Sequence, residues 1–155
     1  MKTIDPSVKA TGYLQGWVGD VAFDSTMLTL MADADSEDFV IQAGWVALDG
    51  LERHLTFYLP ERDQVQKVYR FPSVEGAGAY YEIAGERTMD WQGGTITQEQ
   101  VDFSSPDLQQ WYAAIQFSFE VSVDGATIWI KGEGRLTGAS PWGRGMRRQF
   151  PFRKD

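Results

Sequence analysis

Residues 115–136 read IQFSFEVSVDGATIWIKGEGRL, and their pattern decides the fold. Ile115, Phe117, Phe119, Val121 and Val123 alternate with Gln116, Ser118, Glu120 and Ser122, the period of two that half-buried strands show. Asp124–Gly125 follows, a pair that suits a type I′ turn because both central residues take positive φ. Beyond it Ile128, Ile130, Gly132, Gly134 and Leu136 alternate with Thr127, Trp129, Lys131, Glu133 and Arg135. A two-residue turn sets Val123 opposite Ala126, so Val121 meets Ile128, Phe119 meets Ile130, Phe117 meets Gly132 and Ile115 meets Gly134. Glu120 then faces Trp129. Apolar meets apolar along the ladder, and a slip of one residue would destroy the match. The glycines opposite Phe117 and Ile115 predict close packing or strand coiling.

Working outward, residues 11–18, 26–32, 39–48 and 53–59 read as strands, with Asp49–Gly50 turning between the last two. Shorter candidates lie at 66–71, 78–83 and 95–97, punctuated by Pro60, Pro72 and the 76–78 glycine stretch. Ser105–Pro106–Asp107 predicts a helical turn through Gln110, and helical periodicity is nowhere sustained for three turns. About eight strands at near-regular spacing predict an all-β fold, an antiparallel β-sandwich or barrel. The chain of 155 residues fits one such domain over 1–140, followed by a basic tail at 141–155.

Composition narrows the chemistry. The chain has no cysteine, which excludes thiol nucleophiles, cysteine–zinc sites, iron–sulfur clusters and disulfides. Met1–Pro6 carries no apolar run behind Lys2, so no secretory signal is read and a cytoplasmic location is expected. Apolar runs are too short for a membrane helix. The net charge is −8, yet residues 144–155 carry five cations against Asp155, or +4, which leaves −12 on residues 1–143. A body of that charge repels phosphate backbones, so neither a nucleic-acid nor a membrane partner is expected of it.

Candidate catalytic sets are thin. His54 is the sole histidine, and it alternates with Leu55, Phe57 and Leu59, as a surface or cross-strand residue does. No Gly-x-Ser-x-Gly elbow and no phosphate-binding loop accompanies it. Glu120 and Glu133 share the polar face of the hairpin, and Lys131 and Arg135 offer them salt-bridge partners. Asp33, Asp35, Glu37 and Asp38 crowd four carboxylates into six residues, but Asp38 and Gly44 stand where an EF-hand needs glycine and glutamate. That stretch reads as a solvated turn or as an acidic contact surface. No cofactor is implied.

The aromatic residues are the other lead. Trp129 points to the polar side of its strand, where a tail residue (Trp142, Phe150 or Phe152) or a ligand covers it. Trp17, Trp45, Trp91 and Trp111 are expected in the core or at its edge. Candidate binding residues are therefore Asp33, Asp35, Glu37, Asp38, Glu120 and Trp129.

Gly94–Thr95–Ile96–Thr97, the 115–123 strand, Asp124–Gly125 and the 128–134 segment together resemble uncharacterised bacterial all-β domains, many of them lipoproteins, over about a third of the chain. In those domains a similar Thr-Ile-Thr segment precedes a long alternating strand and a terminal glycine-rich strand. The resemblance implies an all-β fold and no catalytic residue. Surface anchoring does not carry over, because the lipidated cysteine is missing. Gly16–Trp17 also resembles the start of lipocalin-like barrels, without their Gly-x-Trp spacing.

Three functions follow as expectations. The first is a non-enzymatic protein-binding domain, an acidic inhibitor or immunity-type protein that occludes a basic toxin or effector. The second is a small-molecule or carbohydrate binder, and the third a hydrolase using paired carboxylates.

Overall fold

The computed structural model describes residues 9–64 and 66–141. Eleven strands run in chain order as β1 (Thr11–Val18), β2 (Val21–Ser25), β3 (Met27–Met31), β4 (Phe39–Val46), β5 (Glu52–Leu59), β6 (Lys67–Arg70), β7 (Gly78–Ile83), β8 (Arg87–Asp90), β9 (Gly93–Asp102), β10 (Tyr112–Val123) and β11 (Ala126–Thr137). They form two sheets ordered β2-β1-β11-β10-β9-β6 and β3-β4-β5-β7-β8. Every strand pair is antiparallel. The fold is thus a β-sandwich rather than a barrel, and it has more strands than the sequence pattern announced. The tail expected at 141–155 lies, beyond Pro141, outside the described residues.

The β10–β11 register is the one read from sequence, from Val123↔Ala126 to Ile115↔Gly134, with Glu120 opposite Trp129. Asp124 (φ 53°) and Gly125 (φ 83°) make its turn. Gly132 also pairs with Gly16 across β1. A Cβ on Gly132 would lie 2.8 Å from the Gly16 Cα and would overlap the Gln15 carbonyl oxygen, so backbone fills the space a side chain would need.

The core lies between the sheets. Phe57 of β5 meets Phe117 and Phe119 of β10 at ring-centroid distances of 4.8 and 5.9 Å. Leu14, Ile41, Leu55, Ile96 and Ile130 complete the contact. Burying each such side chain contributes about 1.5–3 kcal/mol. Ser25 makes the corner from β2 to β3, its hydroxyl donating to the Gly44 carbonyl at 2.6 Å. The expected helical turn is a 3-10 turn, Leu108–Gln110, whose Gln109 N–H donates to the Asp107 carboxylate at 3.0 Å.

Two ends of the sandwich differ in character. The turn end carries the connections β1–β2, β4–β5, β7–β8 and β10–β11. The opposite end carries the 32–38 loop, where Ser140 bridges Met31 in parallel and its carbonyl accepts from Ala32 N–H at 3.0 Å.

Candidate functional site

Alternation places Leu14, Gly16 and Val18 toward the core, which turns Tyr13, Gln15 and Trp17 outward. Trp17 is therefore 49% exposed instead of lying at the core edge as expected from its apolar character. Trp45 packs against the core, and Trp91 and Trp111 are buried, as their sequence context suggested. Trp17 shares a rung with Ala22 and Lys131, and Trp129 stands two residues along β11, 45% exposed. A groove of about 560 Å³ opens beside Trp17, lined by Gln15, Ala22, Phe23, Lys131 and Glu133.

Round the β2 edge, at the turn end, lies a second and more enclosed cleft of about 430 Å³. Its walls are Val21, Phe23, Trp45, Val46 and Leu48. The Phe23 and Trp45 rings stack at 4.2 Å, 13° from parallel. Leu48, at the tip of the β4–β5 turn, is 99% exposed, and Val21 and Val46 are also exposed. Contiguous apolar exposure of this kind marks interaction sites more often than chance solvent contact.

The polar floor of the cleft is Arg53. Its Nε donates to the Tyr81 hydroxyl at 2.8 Å and its Nη2 to the Asp49 carboxylate at 2.7 Å. The hydrogen bond from Arg53 holds the Asp49 carboxyl below the ordinary carboxylate range, with the Leu51 N–H assisting. Burial pushes the Tyr81 phenol up, partly opposed by the nearby Arg53. Around the cleft and the exposed indoles stand Asp20, Glu52, Glu86 and Asp124, all exposed. Arg53 pairs with Asp49 and Arg87 with Asp124, and Lys131 stands exposed on the Trp17 rung, so charges of both signs surround the apolar residues at this end.

Glu120 lies near this end, its side chain resting over the bare Cα of Gly93. The salt bridges expected for the hairpin carboxylates do not form among the described residues. Arg135 instead donates to the Tyr112 hydroxyl at 2.9 Å. His54 sits on the outer face of the five-stranded sheet, 3.0 Å from the Glu52 carboxylate.

The 33–38 loop is at the other end. From the Trp129 rung to Ser140 the chain runs on the order of 30 Å, so the six candidate binding residues fall into two groups that share no surface. Within the loop the four carboxylates differ. Asp38 is 6% exposed and accepts from the Ser36 and Tyr58 hydroxyls. It serves the fold and cannot meet a partner. Asp33 caps the Asp35 N–H at 2.9 Å, while Arg62 donates to the Asp33 carbonyl at 2.6 Å. The Arg62 guanidinium in turn lies 5.4 Å from the Trp111 ring centroid. Asp35 and Glu37 remain exposed, and a hydrogen bond and repulsion from Asp63 push the Glu37 carboxyl above its usual range.

Trp129 is exposed, as its place on the polar face predicted, whereas the exposure of Trp17 and Leu48 and the placing of Arg53 in the cleft were not anticipated. Strict alternation from Tyr13 was the available signal for Trp17, and the position beside Asp49–Gly50 was that for Leu48. Arg53 carried none, since its partner Tyr81 lies 28 residues away. Among the described residues no group of three or more His, Asp or Glu side chains could hold a metal ion. No helix there is long and apolar enough to cross a membrane. No family model, curated protein or solved structure matches the chain.

Proposed function

We propose that the domain is a non-enzymatic protein-binding module, an inhibitor or immunity-type protein that occludes a basic toxin or effector with its turn end. The observation that carries this reading is the cleft lined by the exposed Val21, Val46 and Leu48, at an end of the sandwich whose turns also expose Asp20, Glu52 and Glu86, with Trp129 exposed on the neighbouring outer face of the six-stranded sheet. Apolar anchors at the middle of a contact supply most of its affinity, and the surrounding charges set the encounter rate and exclude wrong partners. A cytoplasmic setting belongs to the same proposal.

Capture from the native lysate on immobilised protein tests it, at low and high salt. A stoichiometric basic partner should be retained, and salt should slow its association. Trp129→Ala and Leu48→Ser should each weaken capture by about tenfold or more, whereas Asp35→Asn with Glu37→Gln at the other end should leave it unchanged. Equal capture by all variants would remove the turn end from the reading.

The groove beside Trp17 favours a second reading, a small-molecule or carbohydrate binder. Gln15, Lys131 and Glu133 flank an exposed indole there, the combination of stacking face and directional polar groups that sugars require. Quenching or a shift of tryptophan fluorescence across a saccharide panel, lost in Trp17→Ala, separates this reading from the first.

A further inference from the structure

Two depressions flank one unpaired strand edge. β2 is the outermost strand of its sheet, and its Ala22 and Phe23 line both the Trp17 groove on one side and the cleft on the other. Hydrogen-bond alternation along the β1–β2 hairpin sets which backbone groups of β2 are open. The Gly19 N–H donates to the Trp129 carbonyl at 2.8 Å, so Trp17 and Gln15, in step with Gly19, bond to β11. Val18 and Gly16 bond instead to Val21 and Phe23 of β2. Ala22 and Asp24 therefore turn their N–H and C=O groups to the open side. Among the described residues no backbone hydrogen bond reaches them there.

We propose that β2 is a strand-addition site, where an extended segment of a basic protein joins the sheet as a further antiparallel strand. The proposal rests on the reading of the turn end as a protein-binding surface and names how the partner is held. Three observations choose the edge and its occupant. The other edges are guarded: Ala10 and Ser140 bridge β3, β6 carries Lys67 and Arg70, and β8 carries Arg87. No cation guards β2, whose one charge is the exposed Asp24. The relief on its two sides also suits a period of two. Alternate side chains of an added strand would enter the cleft against Val21, Trp45 and Val46, while the others lie over Ala22 beside the exposed Trp17 indole. Lys131 lies two strands in, on the Ala22 rung, so the residue facing Asp24 is a lysine or arginine of the partner. The segment thus runs cation, apolar, aromatic, apolar, facing Asp24, Phe23, Ala22 and Val21 in turn.

A second copy of the chain fits less well. Two-fold pairing of β2 about Phe23 sets Asp24 against Ala22 of the other copy, gives neither carboxylate a cation, and joins two chains of net charge −8.

The probe is the peptide acetyl-Thr-Lys-Val-Tyr-Val-Thr-amide, titrated into the nitrogen-15-labelled full chain. The Ala22 and Asp24 amide signals should shift and their hydrogen exchange should slow. N-methylation distinguishes an added strand from a side chain merely lodged in the cleft. On the peptide's Lys or Tyr, whose N–H groups meet the Asp24 and Ala22 carbonyls, it should weaken binding about tenfold. On either Val, whose N–H faces away, binding should stay within about twofold. Asp24→Lys should reject this peptide and accept its glutamate-for-lysine counterpart. No shift at about 1 mM peptide overturns the proposal, as do equal losses at all four methylated positions. A wild-type dimer with both amides protected before peptide is added gives the edge to a second copy and likewise overturns it. A lysate partner whose capture survives Asp24→Lys but not Leu48→Ser refutes strand addition and leaves the turn-end reading standing. The predicted peptide pattern with an empty capture upholds the edge and removes the inhibitor reading.

Discussion

Arg87 of β8 and Asp124 of the β10–β11 turn join the two sheets at the turn end, with Nη1 2.6 Å from Oδ1 and Nη2 3.0 Å from Oδ2. This paired contact fixes the β7–β8 and β10–β11 turns relative to one another. Both side chains are largely exposed, which keeps their contribution to stability small.

The pair has a definite pH signature. The hydrogen bonds and charge of Arg87 hold the Asp124 carboxyl below its ordinary range. Its stabilising effect is therefore present above the unfolded value of about 3.9 and fades as pH falls through the lower folded value. Asp124→Asn keeps a residue that tolerates positive φ and removes only the charge. Thermal melts should show a modest loss at pH 7 that shrinks in high salt and diminishes progressively as pH falls below the unfolded value of about 3.9. A difference that does not shrink at all as pH falls below about 3.9 would mean the variant acts on the turn and not on the pair.

Gly132 and Gly134 should respond differently to the same methyl group. At Gly132 an added Cβ meets the β1 backbone, which cannot move aside, whereas at Gly134 it meets only the Leu14 side chain, at 3.0 Å. Gly132→Ala is expected to cost about 3 kcal/mol, and Gly134→Ala about 1 kcal/mol. Urea denaturation decides the order.

Asp38 should behave as a structural residue. Removing a buried carboxylate takes away an acceptor that the Ser36 and Tyr58 hydroxyls both use, so Asp38→Ala should cost about 2–3 kcal/mol. Folded protein recovered at low temperature should still capture any turn-end partner with unchanged affinity. Loss of capture by folded Asp38→Ala protein would bring the 33–38 loop back into the contact surface.

Alkaline pH offers an independent check on the outer face of the five-stranded sheet. Burial pushes the Tyr80 phenol up to about 12. Because the fold prefers its neutral form, the stability tied to it is intact below the unfolded value of about 10 and declines as pH rises toward 12. Ultraviolet titration should show a phenol ionising only at that upper limit, and Tyr80→Phe should remove it and flatten the alkaline loss. A wild type whose phenols all titrate near pH 10 would contradict the burial.

How much of this was legible in the sequence depended on whether the deciding contact was local. The β10–β11 register was fully readable, because alternation and the Asp124–Gly125 turn carry the same information twice. The strand β8 was not, since Met89 is its single apolar residue between Arg87 and Asp90. Strand β9 was half hidden for a similar reason. Its buried Gln98 looks solvent-facing in sequence and owes its place to the Glu61 and Gln64 carbonyls that accept from its amide. Sandwich and barrel could not be separated, because strand alternation does not report which edges pair. In the candidate site, Asp38 resembled its acidic neighbours until Tyr58, 20 residues on, singled it out.

The pairing of β1 with β11 makes neighbours of the first and last strands, Thr11 and Thr137 lying 126 residues apart. At synthesis rates of about 5–20 residues per second, β1 waits roughly 6–25 s for the strand it must join. Until then the β1–β2 hairpin carries an open edge and an unburied Leu14, and contacts this distant in sequence make for slow closure. The six-stranded sheet is therefore finished last and all at once, and a nascent chain halted before β11 would present that unfinished edge to whatever surrounds it.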